Sequence, residues 1–323
     1  MKNKVSQPRE GRQRANEEIA VLVPCYNEAV TIAKVVRDFK RELPKARVYV
    51  YDNNSTDGTD EIARRSGAVV RYEYAQGKGN VMRRMFSEIN ADIYILADGD
   101  DTYPAEAARE MIALIREGKA DMVTGDRLSN GAYTSENKRR FHNFGNNLVK
   151  RAVNTIFRAQ VNDIMSGYRA FNKLFVKNFP VMSKGFEIET EMTIHALDRG
   201  FMIKEVPIDY RDRPEGSVSK LNTFSDGFKV IRTIVKIFKH YRPLAFFRIC
   251  AFFTFIAGIA CGAPVLYEFF KTEFITHVPL AILASAVVLL AMLMLICGII
   301  LDTVVSADKR RYELRLIDFR SKQ

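Results

Sequence analysis

Two apolar stretches near the end of the chain constrain it more than any other feature. Leu244 to Tyr267 and Val278 to Leu301 each exceed the ~20 residues that a bilayer-crossing helix needs. In hydrocarbon every backbone N–H and C=O must be satisfied internally, so each stretch is expected to be a helix. A buried hairpin in a soluble core is the alternative, disfavoured because core helices are rarely apolar all round for this length. Arg248, one turn into the first stretch, can snorkel toward the interface. Lys229, Arg232, Lys236, Lys239 and Arg242 precede the first stretch, and Lys309, Arg310 and Arg311 follow the second. The connecting "EFFKTEFITH" carries one lysine and two glutamates. By the positive-inside rule both termini, and the large N-terminal part with them, face the cytoplasm.

The segment "NTFSDGFKVIRTIVKIFKHYRP" leads into the first stretch. Phe224, Phe228, Ile231, Val235 and Phe238 recur at spacings of three and four and share one helical face, beside a basic stripe. Such a helix, assigned to 222–243, suits an anionic headgroup surface; packing on a globular domain is the plainer reading. Spans at 244–267 and 278–301 and a cytoplasmic tail at 302–323 complete this half. Residues 1–18 are polar, lack an apolar signal core, and are expected to be a disordered tail. A formal charge of +11 suits anionic partners. The four cysteines show no metal-ligand spacing and read as reduced, buried residues.

Between 19 and 221 the patterns alternate. "IAVLVP", "ARVYVYDN", "AVVRYEY", "ADIYILAD" and "DMVTGDR" read as strands, with helical periodicity over Glu28–Glu42, "TDEIARRSG", Lys78–Asn90 and Ala105–Glu117. That alternation predicts an α/β fold with a mostly parallel sheet and helices on both faces. Ligands of such sheets bind at the carboxyl ends of the strands. The chemically suggestive residues gather at those ends: Pro24 to Glu28, Asp52 to Gly58, Asp98 to Asp101, and Asp126 with Arg127.

In "YILADGDDTYPAE" a buried-looking strand runs into three carboxylates, Asp98, Asp100 and Asp101. Asp98 and Asp100 can project toward one point, an unfavourable arrangement unless a cation lies between them. Hard divalent ions take carboxylate oxygen, and Mg²⁺ keeps positions open for substrate phosphates; Mn²⁺ suits the same ligands. An isolated D-x-D is usually a solvated acidic turn, but the convergence of strand ends favours the cation.

The stretches "VPCYNEAVTI", "VYDNNSTDGT", "QGKGN", "LADGDD", "GDR", "DIMSGYRAFN" and "YRDRPEGSVSKL" occur in an order and spacing that resembles the family 2 glycosyltransferases of GT-A (Rossmann-like) fold. The resemblance covers roughly Ile19 to Leu221 and is nearest to the branch of dolichyl-phosphate mannose synthases and bacterial polyprenyl-phosphate glycosyltransferases. It implies that Pro24, Tyr26, Asn27, Glu28 and Asp52 cradle the nucleobase and ribose of a nucleotide-sugar donor. Asp98 and Asp100 would hold Mg²⁺ or Mn²⁺ and the diphosphate, with Lys78 and Gly79 beside the donor and Asp100 counted as catalytic. Arg127 and one of Arg139 or Arg140 would grip the phosphate of a polyprenyl-phosphate acceptor, a task that suits a guanidinium fork. Asp163, Ser166 and Arg169 match the acceptor-side motif, and Arg211, Ser219 and Lys220 the closing clamp on the diphosphate. Glu187 and Glu189 are weaker candidates, one of which could contact sugar hydroxyls. His142, His195 and His240 fall outside the motifs and read as structural or surface residues.

A hydroxyl acceptor needs a general base, whereas a phosphate monoester, with a second pKa of about 6, is already largely dianionic near neutral pH. Asp163 is the residue in line to orient the acceptor or take a residual proton. The resemblance implies inversion at the anomeric carbon. Two departures stand out: Asn53 where the motif often has a second Asp, which loosely favours a UDP-sugar over GDP-mannose, and Thr102 where some relatives place glutamine. A processive polysaccharide synthase is disfavoured because its Q-x-x-R-W motif needs a tryptophan and this chain has none. A transferase acting on a hydroxyl of a lipid-linked glycan and a non-catalytic nucleotide-sugar-binding scaffold are the alternatives. Nucleic acid accounts for the charge but not for strand-end carboxylates, so it is not expected as a partner. A homo-oligomer through the spans is compatible with the branch.

Overall fold

The computed structural model describes residues 17–129, 140–185, 187–211 and 226–322. The chain divides into two compact units, meeting in sequence at Asp226 and Gly227.

The first unit is built on one sheet. Its strands are β1 (Ile19–Cys25), β2 (Arg47–Asp52), β3 (Val69–Tyr72), β4 (Ile93–Leu96), β5 (Met122–Asp126), β6 (Arg169–Asn172) and β7 (Ile203–Pro207). Their order is β3-β2-β1-β4-β6-β5-β7. β1 pairs in parallel with β2 and β4, β2 with β3, and β5 with β7, while β6 runs antiparallel to both of its neighbours. The expected mostly parallel sheet is therefore present, with one reversed strand. β1 and β4 are nearly continuous apolar runs because helices cover both faces.

Helices α1 (Ile32–Glu42), α2 (Thr59–Arg65), α3 (Lys78–Glu88) and α4 (Ala108–Arg116) follow strands β1 to β4 in turn, α4 entered through a short 3₁₀ turn at Ala105–Ala107. α1 turns Ile32, Val35, Val36 and Phe39 onto the sheet, where they join Val21, Val23, Ile95, Val123 and Ala170 in one core. Burying each such side chain contributes roughly 1.5–3 kcal/mol. Helices α5 (Arg140–Phe157), α6 (Lys173–Asn178) and α7 (Ile188–Asp198) complete the unit. His195 of α7 lies within an aromatic nest of Phe175, Phe179 and Phe201, where burial pushes its pKa down to about 3, so it is structural.

Glu17 and Glu18, assigned above to a disordered tail, are docked instead. Glu17 pairs with Arg116, and the Glu18 N–H donates to Asp92. Residues 1–16 of that tail lie outside the described residues.

The second unit contains α8 (Asp226–Tyr241), α9 (Pro243–Thr272) and α10 (Val278–Ser321). α9 and α10 are long and apolar enough to cross a membrane. They pack against each other, burying Ala251, Gly258 and Val265 on one and Ala284, Ala291 and Gly298 on the other at seven-residue spacing; Gly258 lies against Val287 and Val288, and Gly298 against Leu244 and Phe247. Phe252, Phe253, Ile256, Leu289, Leu293 and Ile300 point outward, an arrangement that water would oppose and hydrocarbon would not. α10 extends beyond the expected span end at Leu301 into the segment assigned above as a tail. It runs on to Ser321 as one helix, about 66 Å at 1.5 Å per residue. The four cysteines are free thiols.

Candidate active site

The carboxyl ends of β1, β2, β4 and β5 open on one edge of the sheet. Because β6 is reversed, its amino end lies on the same edge: Leu96 of β4 is paired with Arg169, and so is Thr124 of β5. The "DIMSGYR" segment leading into β6 is thereby delivered to the strand ends, which sequence alternation does not reveal.

The loops after β1 and β2 are stitched together. Asn27, with φ of 53°, donates its N–H to Ser55 Oγ at 2.9 Å and accepts from the Thr56 N–H at 2.8 Å. Glu28 donates its N–H to Thr59 Oγ1 at 2.8 Å. Tyr26 is exposed beside them. Asp52 is buried; its Oδ2 accepts from the Ser55 N–H, while Oδ1 has no hydrogen-bond partner. A buried acceptor left unsatisfied is costly, so this oxygen is suited to a donor brought by a ligand.

Asn53 is spent within the fold. Its amide donates to the carbonyls of Glu73 and Ala75 and accepts from the Gly77 N–H. An aspartate could not make the two donations, which explains the departure from the motif without reference to a base. Asn53 therefore does not bear on the choice between uracil and guanine.

The three strand-end carboxylates are kept apart by three different partners. Asp98 Oδ1 lies 2.6 Å from Lys78 Nζ, and Asp101 Oδ1 lies 2.7 Å from Lys34 Nζ. Asp100 is buried, and its Oδ1 accepts from the Thr102 hydroxyl at 2.6 Å, so the threonine found in place of glutamine supports the turn. Thr31 adds a hydroxyl donation to the Gly99 carbonyl at 2.6 Å. Lys78 also lies 2.6 Å from Glu189 Oε1 on α7. Burial works against the Lys78 charge, but Asp98 and Glu189 outweigh it and raise its pKa.

Asp98 and Asp100 fit a hard divalent cation. Both present carboxylate oxygen on one turn, and an ammonium stands in as the cation at Asp98. Among the described residues no group of three or more carboxylate, His or Cys side chains gathers there. Gly79 packs against the backbone rather than opening a path to a ligand: a Cβ there would lie 2.1 Å from the Ser183 carbonyl oxygen.

The acceptor-side motif requires the main corrections. Arg169 is fully buried, and its guanidinium donates to the carbonyls of Ser166 and Ile164 and to the Thr193 hydroxyl. Burial lowers its pKa to about 10. It shapes the loop and is closed off from a phosphate. Ser166 is likewise buried, its hydroxyl accepting from the Tyr168 N–H.

Asp163 is filled at both oxygens. Oδ2 accepts from Arg127 Nε at 2.8 Å and from the Arg127 N–H, while Oδ1 accepts from Arg127 NH2 at 3.0 Å and from the Met165 N–H. Burial opposes ionisation, but Arg127 overcomes it and holds the carboxyl below its usual range. A depressed, four-bonded carboxylate is a poor proton acceptor; Asp163 is an anchor for Arg127. The Arg127 guanidinium lies over the Tyr210 ring, 5.5 Å from its centroid. Glu205 on β7, unnoticed in the sequence, accepts the N–H groups of Asn162 and Asp163 and so holds this loop from below.

Tyr103, also missed, donates order to the centre of the site: its hydroxyl accepts the Gly167 N–H at 2.9 Å and its ring stacks on Tyr168. A position immediately after D-x-D-x-T was the available signal. Arg211 reaches the same turn, its N–H donating to the Thr102 carbonyl and its side chain pairing with exposed Glu106. Arg140 opens α5. Arg139, Ser219 and Lys220 lie outside the described residues.

The family model for glycosyl transferase family 2 matches residues 20–178. Glycosyltransferase AglJ of Haloferax volcanii is 34% identical over 299 residues, spanning 91% of this chain and 96% of that protein. The chain belongs to glycosyl transferase family 2. This glycosyltransferase is also 32% identical to the dolichyl-phosphate hexose transferase of the same organism, over 68% of its own length and 94% of the relative. Its fold is GT-A. The glucosyl-3-phosphoglycerate synthase of Mycobacterium tuberculosis, solved with Mn²⁺, UDP-glucose and phosphoglyceric acid, superposes with a TM-score of 0.54 at 21% identity, covering 70% of this chain and 80% of that one.

Proposed function

We propose that this glycosyltransferase moves a sugar from a nucleotide-sugar, a UDP-sugar in preference to GDP-mannose, to polyprenyl phosphate at the cytoplasmic face of a membrane, with inversion. The observation that carries the reading is the covalent union of a family 2 domain with a pair of membrane-length helices, in a chain similar along most of its catalytic part to a dolichyl-phosphate hexose transferase. The excess of Lys and Arg flanking the helix pair supports the cytoplasmic orientation of the catalytic domain and both termini. The basic stripe of α8 supports a helix lying at the headgroups.

The base preference rests on Asp52 rather than on Asn53. One carboxylate oxygen is already bound to Ser55 and one is left, which matches the single ring N–H of uracil better than the paired donors of guanine. Asp98 and Asp100 would hold Mg²⁺ or Mn²⁺ against the donor diphosphate; such a cation, when bound, offsets charge developing on the leaving group. Lys78 supplies a further positive charge at that end, and Arg211 is within the same turn to follow it. At the acceptor end Asp163 pre-orients Arg127, and Arg139 or Arg140 adds a second guanidinium. A dianionic phosphate is nucleophile enough that orientation and leaving-group stabilisation do most of the work, consistent with an Asp163 that is unfit to act as a base.

The test is nucleoside diphosphate release by the full-length protein in detergent, with Mn²⁺ or Mg²⁺, across UDP-, GDP- and dTDP-sugars, each with and without polyprenyl phosphate. Release that needs the lipid phosphate, for a UDP-sugar, is the expected outcome, and Asp100→Ala should abolish it while leaving the fold intact. Donor binding with no lipid-dependent release from any sugar would sink the acceptor assignment.

A further inference from the structure

Lys78 is held from two sides of the site. Its ammonium lies 2.6 Å from Asp98 Oδ1 and 2.6 Å from Glu189 Oε1. Asp98 belongs to the strand-end turn, whereas Glu189 comes from the first turn of α7. Glu189 is only 4% exposed, and its second oxygen, Oε2, is buried with no hydrogen-bond partner. A buried carboxylate with one oxygen unsatisfied carries a free-energy cost. Neutralising Lys78 does not require it, because Asp98 already does so. The surroundings keep the pair tight: a Cβ at Gly167 would lie 2.7 Å from Asp98 Oδ2 and 3.1 Å from Lys78 Nζ.

An ammonium and a divalent cation compete for the same carboxylate. For Asp98 to give the cation assigned to it above its Oδ1, Lys78 must let that oxygen go, and a buried ammonium that loses its counter-ion is strongly disfavoured. We propose that Glu189 is a positioning residue that retains Lys78 in the site when Asp98 is given up, so that the ammonium passes from Asp98 to the donor diphosphate without losing carboxylate compensation. Glu189 acts here through Lys78 and touches neither sugar nor cation. The inference rests on the reading of Asp98 as a cation ligand.

The test uses the full-length protein in detergent and measures Mn²⁺ binding from the spectrum of the free ion by electron paramagnetic resonance, with and without UDP and without acceptor, so turnover plays no part. Glu189→Gln preserves shape and leaves Asp98 as the remaining carboxylate of the pair, so Lys78 should hold Asp98 against the metal. Mn²⁺ binding is expected to weaken on the order of tenfold, a discounted share of the cost of stripping one partner from a buried charge. In the double variant Lys78→Met with Glu189→Gln the competitor is gone, and Mn²⁺ affinity should return to about the wild-type value. Glu189→Gln binding Mn²⁺ like the wild type overturns the inference. So does a double variant as weak as the single one, which would mark Glu189 as a direct ligand or a folding residue. Wild-type protein that binds no Mn²⁺ even with UDP would remove the cation reading itself, and this inference with it; the two failures are told apart by which protein fails.

Discussion

Replacing Asp163 with asparagine separates an anchor from a base. The carboxylate is 2% exposed and accepts four hydrogen bonds, three of them from Arg127. Removing one partner of a buried pair costs about 3–5 kcal/mol. Asparagine keeps one carbonyl oxygen but turns an NH₂ toward the guanidinium, so the lower end, about 3 kcal/mol, is appropriate. For a domain of this size, each kcal/mol moves the melting temperature by about 2–4 °C, giving a loss of roughly 6–12 °C. Cys25 provides the readout, since it is buried at 3% exposure in β1 and becomes reactive only when the domain opens. Its labelling by a thiol reagent along a temperature ramp, quantified by mass spectrometry, reports this domain separately from the long helices. The pH dependence follows from the sign of the shift. The folded-state pKa of Asp163 is lowered, so its contribution is fully present above the unfolded value near 3.9 and is lost as pH falls through the folded value. Wild type and Asp163→Asn should therefore differ by a constant margin around neutrality and converge only in acid. Unchanged Cys25 protection, within about 2 °C, together with a large loss of turnover would refute the anchor and restore Asp163 as a proton acceptor.

Gly167→Ala should lower UDP affinity at least about tenfold without unfolding the domain, because the added methyl drives into Asp98 Oδ2, 2.7 Å away, and toward Lys78; calorimetric titration with UDP measures it. Arg169→Met should destabilise the domain by about 3 kcal/mol or more, since it strips donors from the buried carbonyls of Ile164 and Ser166. Earlier Cys25 labelling checks this, and a stable variant impaired only in lipid use would instead return Arg169 to the acceptor phosphate.

Much of the fold was legible because each of its signals is local. Alternating apolar strands and amphipathic helices announce a covered parallel sheet, and strand β1, "IAVLVPC", needs no partner to declare itself buried. β6 and β7 were missed because "RAFN" and "IKEVP" are too short to show a period. Arg127, Asp163, Ser166 and Arg169 were found as a group, but their burial was not, since a motif records which residues are needed and not which way they face. Arg169 looks like a phosphate ligand in one dimension. In three it donates to the backbone carbonyls of Ile164 and Ser166 from a fully buried position.

The sequence by itself determined that this chain carries two membrane-length helices, an α/β sheet with chemistry at its strand ends, and a pair of aspartates suited to a cation, because hydropathy, periodicity and spacing are properties of neighbours along the chain. Only the tertiary structure decided what neutralises those aspartates. Lys78 and Lys34 reach Asp98 and Asp101 from other elements, and Glu189 reaches Lys78 from a helix about a hundred residues further along. Electrostatic compensation acts through space over a few ångströms, and the packing of α1, α3 and α7 around the strand ends brings these distant charges within that range.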